Sequence, residues 1–137
     1  MIDVTREDFS VDEALERLRS RGMGALVIFV GVVRDSSRGK AVERIEIQVY
    51  EEMARRQLEE IREEAIDRFG VEEIAIIHRY GSLEVSDNIM MIAVGGGHRL
   101  EAFDACRWVL ETIKEKVPIW KKEITPEGDF WVEGEKP

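Results

Sequence analysis

Cysteine is nearly absent. The 137-residue chain has one, Cys106, which excludes an internal disulfide and any multi-cysteine metal site. Histidine is almost as scarce: His78 and His98 stand twenty residues apart, at no recognised ligand spacing, so no metal and no resident cofactor are expected. There is no low-complexity tract, no internal repeat and no Pro/Gly/Ser-rich linker, which predicts a single domain over residues 1–137. Long apolar runs are missing too: the longest uncharged stretch, residues 22–33, is too short to span a bilayer and holds three glycines. Met1 is followed at once by Asp3, Arg6, Glu7 and Asp8, which is no signal peptide, so the expectation is a soluble, cytoplasmic protein. Positive charge is the minority sign, with 20 Lys and Arg against 29 Asp and Glu for a net charge of −9. That balance argues against nucleic acid and anionic membranes as partners, because both need a basic footprint. An anionic ligand can bind only where basic residues gather locally.

Hydrophobic residues make up 44% of the chain, enough for a core. Ser10-Val11-Asp12-Glu13 is a capping box followed by Val11, Ala14, Leu15 and Leu18 at helical spacing, predicting a helix that stops at Gly22. Residues 25–33 are apolar almost throughout and β-branched, as in a strand buried on both faces. Residues 34–40 read as a loop, and Ile45, Ile47 and Val49 alternate with polar neighbours as a two-faced strand. A second helix is predicted over 51–69, with Met53, Ala54, Leu58, Ile61, Ala65 and Phe69 on one stripe and Gly70 ending it. Strands follow at 73–79, 81–85 and 89–94. A third helix starts after Gly95-Gly96-Gly97, with Ala102, Phe103, Cys106, Val109, Leu110 and Ile113 inward, and it must end before Pro118. Residues 119–124 and 130–132 form a closing hairpin. Without strict βα alternation the class is α+β with a largely antiparallel sheet.

Three constellations can carry chemistry. Gly95-Gly96-Gly97-His98-Arg99 sits at a strand-to-helix junction, where free N–H groups and the helix dipole receive anions. The same residues also suit an ordinary tight turn. Lys114, Lys116, Lys121 and Lys122 surround Val117-Pro118-Ile119-Trp120. A lysine against apolar groups is a candidate nucleophile, general acid or fixed charge for an oxyanion, although lysines equally complement a helix C-terminus. Arg34, Arg38 and Lys40 form a basic loop after a buried strand, suited to phosphate or carboxylate or simply solvated. Cys106, on an apolar helix stripe, reads as an inert buried thiol, and His78 as structural.

Together, GALVIFVGVVR (24–34), VYEEMA (49–54), IAIIHRYGSLEV (74–85), HRLEAFDACRWVLETIK (98–114) and VPIWKKEITPEGDFWVEG (117–134) resemble the large, catalytic subunit of molybdopterin synthase over nearly the whole chain. The resemblance implies an α/β-hammerhead fold and a homodimer within a heterotetramer. In that assembly a small ubiquitin-like sulfur carrier threads a thiocarboxylated C-terminal Gly-Gly tail into a pocket of the large subunit. It implies a sulfurtransferase that converts cyclic pyranopterin monophosphate into the dithiolene of molybdopterin, with no metal in the step. The family's pocket positions fall here on Phe29, Arg34, His98, Arg99, Lys114 and Lys121. On this reading Lys114 and Lys121 are catalytic. His98 and Arg99 hold phosphate, with Arg34 near the same pocket, from the same chain or across the dimer. Gly95-Gly96-Gly97 stands where small polar residues are common, and Glu135 near where some members place a basic residue. A non-enzymatic module binding a ubiquitin-like tail is the alternative of a different class, and a phosphate sensor using only the glycine turn is a third. Neither needs Lys114 and Lys121 together.

Overall fold

A computed structural model describes residues 1–132; Glu135 lies outside the described residues. The elements run β1 (Ile2–Thr5), α1 (Val11–Leu18), β2 (Ala25–Val32), β3 (Ser36–Ser37), β4 (Lys40–Ala41), β5 (Arg44–Val49), α2 (Glu51–Phe69), β6 (Glu73–Arg79), β7 (Gly81–Glu84), β8 (Asn88–Gly96), α3 (Arg99–Lys116), β9 (Ile119–Thr125) and β10 (Gly128–Trp131). They build one four-stranded sheet in the order β1-β6-β8-β2, a second in the order β10-β9-β5-β7, and the small β3–β4 arm. Every pairing is antiparallel except β1 with β6, so the α+β expectation with a largely antiparallel sheet holds.

Periodicity dictates the two long helices. In α2, Ala54, Leu58, Ile61 and Ala65 are buried at i, i+4, i+7 and i+11, the stripe of a helix lying on a core. Gly70 closes it in the left-handed region at φ 68°, where a side chain would be strained. In α3 the buried residues are Ala102, Ala105, Cys106, Val109, Thr112 and Ile113. Met53 and Phe103, assigned inward by the pattern, are instead 49% and 61% exposed, because each lies on the flank of its stripe. The main core joins both sheets to α2 and α3 and includes Val4, Ile45, Ile47, Leu58, Ile76, Ile92 and Val109. Fully burying a side chain such as Leu58 contributes about 1.5–3 kcal/mol. A smaller cluster, with Ala14, Leu18, Ala75, Ile77, Met91 and Ala93, lies under α1 on the opposite face of the first sheet.

Three expectations need correction. The first helix ends at Leu18 rather than Gly22. Arg19 has already turned to ψ 134° while its N–H still bonds to the Leu15 carbonyl, and Ser20 then bonds Glu72. The apolar run at 25–32 is an edge strand, not one buried on both faces: β2 pairs only with β8 among the described strands, and Ile28 and Val32 are 38% and 52% exposed. Gly95 and Gly96 do not make a turn. They extend β8, pairing with Leu26 and Ala25, and what a side chain there would meet is Met23 and Val71. Their smallness serves strand packing, and Gly97 alone of the three faces open space.

Candidate functional site

Pro118 is where the site begins. It ends α3 and turns the chain into β9, so Lys114 in the last helical turn and Lys121 in the strand are brought to one place. In β9, successive side chains face opposite ways. Lys121 stands opposite Ile47, a core residue, and therefore on the inner face of the second sheet. Lys122 stands opposite Glu46 on the outer face, 3.7 Å from its carboxylate and over the Trp131 ring. Trp120 shares that outer face, edge-on to Tyr50 at 5.2 Å. The four-lysine cluster thus separates: Lys114 and Lys121 line a cavity, Lys122 is engaged on the far side, and Lys116 is exposed at the helix end.

The cavity has a volume of about 690 Å³. The end of β2 supplies Phe29 and the residues that lead to Arg34, the β3–β4 arm supplies Ser37 and Arg38, and β8 supplies Met90. Leu110 and Lys114, one helical turn apart, form the α3 wall, and Lys121 and Glu123 the β9 wall. Phe29 also packs on the main core, so its ring is a fixed wall. Four cations, Arg34, Arg38, Lys114 and Lys121, face one carboxylate, Glu123, among the described lining residues. A smaller cavity of about 280 Å³ adjoins it, sharing Ser37, Arg38 and Glu123, and is closed by Phe130 with Lys40 stacked 4.2 Å over its ring.

Phe29, Arg34, Lys114 and Lys121 are therefore brought together. His98 and Arg99 are not. His98 is the N-cap of α3 and Arg99 its first residue, both exposed. Fifteen residues of helix separate Arg99 from Lys114, about 22 Å at the α-helical rise. Within one chain the glycine-flanked junction and the lysine cavity are two places.

Sequence reasoning left Arg38 open between an anion ligand and a solvated turn residue and did not single out Glu123; both line the cavity. Glu123 carried a usable signal: it sits two residues from Lys121, hence on the same strand face. Cys106 is buried, and burial pushes its thiol up to about 11, which leaves it inert as expected. His78 is buried at 3% exposure, and Arg79 binds the carbonyls of Arg6 and Asn88, clamping the end of β6. No group of three or more His, Cys, Asp or Glu among the described residues could hold a metal, and no helix there is long and apolar enough to cross a membrane.

The arrangement suits anion capture next to an ammonium that can donate a proton. Comparison with known proteins identifies the family. The model of the MoaE protein family matches residues 4–116. The molybdopterin synthase catalytic subunit of Pyrococcus abyssi is 45% identical over 130 residues, covering 95% of this chain and 88% of that protein. The crystal structure of molybdopterin synthase from Staphylococcus aureus superposes with a TM-score of 0.90 at 36% identity, covering 94% of each chain. A complex of subunits 1 and 2 of the molybdopterin-converting factor from Helicobacter pylori shares the fold, with a TM-score of 0.79 at 20% identity.

Proposed function

The chain belongs to the MoaE protein family, and from that premise we propose that it is the catalytic subunit of a molybdopterin synthase. It is one catalytic domain over residues 1–137, working in the cytoplasm as a homodimer that carries a small ubiquitin-like sulfur-carrier subunit on each half. The reaction takes sulfur from the carrier's C-terminal thiocarboxylate to cyclic pyranopterin monophosphate. In each transfer sulfur bonds to a pterin side-chain carbon as that carbon loses an oxygen substituent, and a water molecule attacks the tail's acyl carbon, breaking its carbon–sulfur bond and releasing the tail as carboxylate. Two transfers make the dithiolene.

The observation that carries this reading is the pairing of Lys114 and Lys121 in one cavity with Arg34 and Phe29. An anionic tail entering that cavity meets a positive field despite the chain's net charge of −9. Lys114, at the mouth of α3, protonates or steadies oxygen as the acyl carbon changes partners. Lys121, on the inner strand face, orients the tail's carboxylate or acyl group. Arg34 offers a planar fork to phosphate or carboxylate. His98 and Arg99 act as phosphate holders at the N-terminus of α3. Because they lie about 22 Å along the helix from Lys114, they complete a pocket across the dimer rather than in their own chain.

The test is reconstitution. This chain, thiocarboxylated carrier and cyclic pyranopterin monophosphate are mixed, and dithiolene product is quantified by mass spectrometry. Product in the full mixture and none without this chain is the expected result. A stable complex with the carrier but no product would leave only tail binding and overturn the enzymatic reading.

A further inference from the structure

The turn of the β3–β4 arm holds an arginine where the backbone does not favour one. Ser36 pairs with Ala41 and Ser37 with Lys40, so Arg38 and Gly39 alone make the turn, and both have positive φ, 53° and 76°. A two-residue turn between antiparallel strands calls for two such angles, and Asn-Gly is the sequence that adopts them most readily. Gly39 fits. Arginine in the left-handed region is disfavoured, and among the described residues Ser86 is the only other non-glycine with positive φ.

The arm that carries Arg38 is tied at both ends. The Val42 N–H bonds the Asp35 carbonyl at 2.8 Å across its base, and the Lys40 ammonium lies 4.2 Å over the Phe130 ring. Arg38 is thereby set at a junction: with Ser37 and Glu123 it lines both the lysine cavity of about 690 Å³ and the cavity of about 280 Å³ beside it. The two differ in chemistry. The larger gathers Arg34, Lys114 and Lys121 and suits an anion. The smaller sets the carboxylates of Glu123 and Asp129 beside the rings of Phe130 and Trp131. It repels a second anion and accepts from N–H donors. A chain that ends in an anion and continues as uncharged peptide groups matches the two cavities in that order.

We propose that Arg38 is a binding residue for the carrier's tail: its guanidinium takes the terminal anion at the junction, while the preceding peptide groups lie in the smaller cavity. This deepens the synthase reading and rests on it. On that reading the substrate's phosphate has its holders in His98 and Arg99, which leaves the tail's anion for Arg38. A guanidinium closes on a carboxylate with two parallel N–H bonds, a geometry that no ammonium offers.

Calorimetry on the full-length protein tests this, with the carrier in its carboxylate form so that no sulfur is transferred. Arg38→Asn removes the guanidinium and installs the preferred turn sequence, so its Tm stays at or above that of the wild type. Its Kd for the intact carrier rises about fivefold, and Arg38→Lys, which keeps the charge without the fork, recovers part of the loss. A carrier lacking its two C-terminal glycines distinguishes intact from truncated tails: the wild type discriminates between them about fivefold better than Arg38→Asn does. An unchanged Kd for the intact carrier overturns the proposal. So does an equal loss with the truncated carrier, which would put Arg38 against the carrier's body. Cyclic pyranopterin monophosphate is the third titrant, and its Kd stays within about twofold of the wild-type value. A rise there with carrier binding unaffected would give Arg38 to the phosphate instead. A wild type that binds neither titrant would sink the synthase reading itself, whereas wild-type binding of both with no response to Arg38→Asn sinks this proposal alone.

Discussion

Acidification from pH 7 to pH 5 tests the burial of His78 through stability rather than chemistry. The folded chain holds this imidazole at about 4 against an ordinary 6.5, so the unfolded chain takes a proton that the folded chain refuses. The contribution is fully present above pH 6.5 and is lost as pH falls from there toward 4. The 2.5-unit gap corresponds to about 3.4 kcal/mol over the whole window. About 1.8 kcal/mol of it is lost between pH 7 and pH 5. For a chain of this length that loss lowers Tm by roughly 7 °C. Two other effects must be separated. Acid also relieves the self-repulsion of a chain with net charge −9, which acts in the opposite direction. Two carboxylates also lie below their usual range: Asp8, through its bonds from Asn88 and Phe9, and Glu73, where burial opposes the shift but the Ile74 N–H and Arg62 prevail. What they contribute is lost only as pH falls through those lowered values, below the window used here. The difference between wild type and His78→Gln isolates the imidazole. Urea unfolding followed by tryptophan fluorescence at pH 7, 6 and 5 gives both stabilities, and the wild type should lose about 1.8 kcal/mol more than the variant. Parallel pH dependences for the two proteins would refute the reasoning, since an imidazole that titrates alike in both states cannot contribute a slope.

Lys114→Ala should lower single-turnover sulfur transfer by about 100-fold or more, the scale of losing one preorganised charge at a reacting oxygen. Carrier affinity by calorimetry should stay within about twofold, because one exposed cation at a rim contributes little to binding; a near-wild-type rate would remove Lys114 from the mechanism. Gly24→Ala places a Cβ 2.4 Å from the Gly97 carbonyl oxygen, so backbone must move and stability should drop by about 1–3 kcal/mol. Gly97→Ala meets nothing within 4 Å and should leave Tm unchanged, a pair of outcomes that differential scanning calorimetry checks directly. Mixing Lys114→Ala with Arg99→Ala after subunit exchange should recover about a quarter of the wild-type rate, since half the dimers are mixed and each holds one intact pocket. No recovery from exchanged, dimeric protein would place both halves of the pocket in one chain.

The long elements were legible because burial has a period. Ala54, Leu58, Ile61 and Ala65 could lie on one face only as a helix, and Ile45, Ile47 and Val49 only as a strand. What was not legible depends on partners distant in sequence. β1 is four residues, Ile2–Thr5, too short to show a period, and exists because Ile2, Asp3, Val4 and Thr5 align with residues 76–79 of β6. The apolar run of β2 could not reveal that it sits at a sheet edge, since composition records hydrophobicity and not the neighbour that is missing. In the site, Lys114 and Lys121 were legible through Pro118, which forces the reversal that joins them. Strand alternation then separated Lys121 from Lys122, a distinction already implicit in their adjacency. His98 and Arg99 were legible as a helix start, yet nothing in their spacing shows that α3 carries them about 22 Å from Lys114.

The distribution of charge reconciles an acidic chain with an anionic substrate and an anionic carrier tail. Net charge governs the approach of distant ions, and that influence is screened within about 8 Å at physiological ionic strength. What an entering anion meets is the local set of Arg34, Arg38, Lys114 and Lys121 against Glu123. Gathering four cations around one cavity is unfavourable to the folded chain, because like charges repel most where water is partly excluded. The surrounding acidic surface then has a use of its own: it discourages anions everywhere except at the cavity where the chemistry is done.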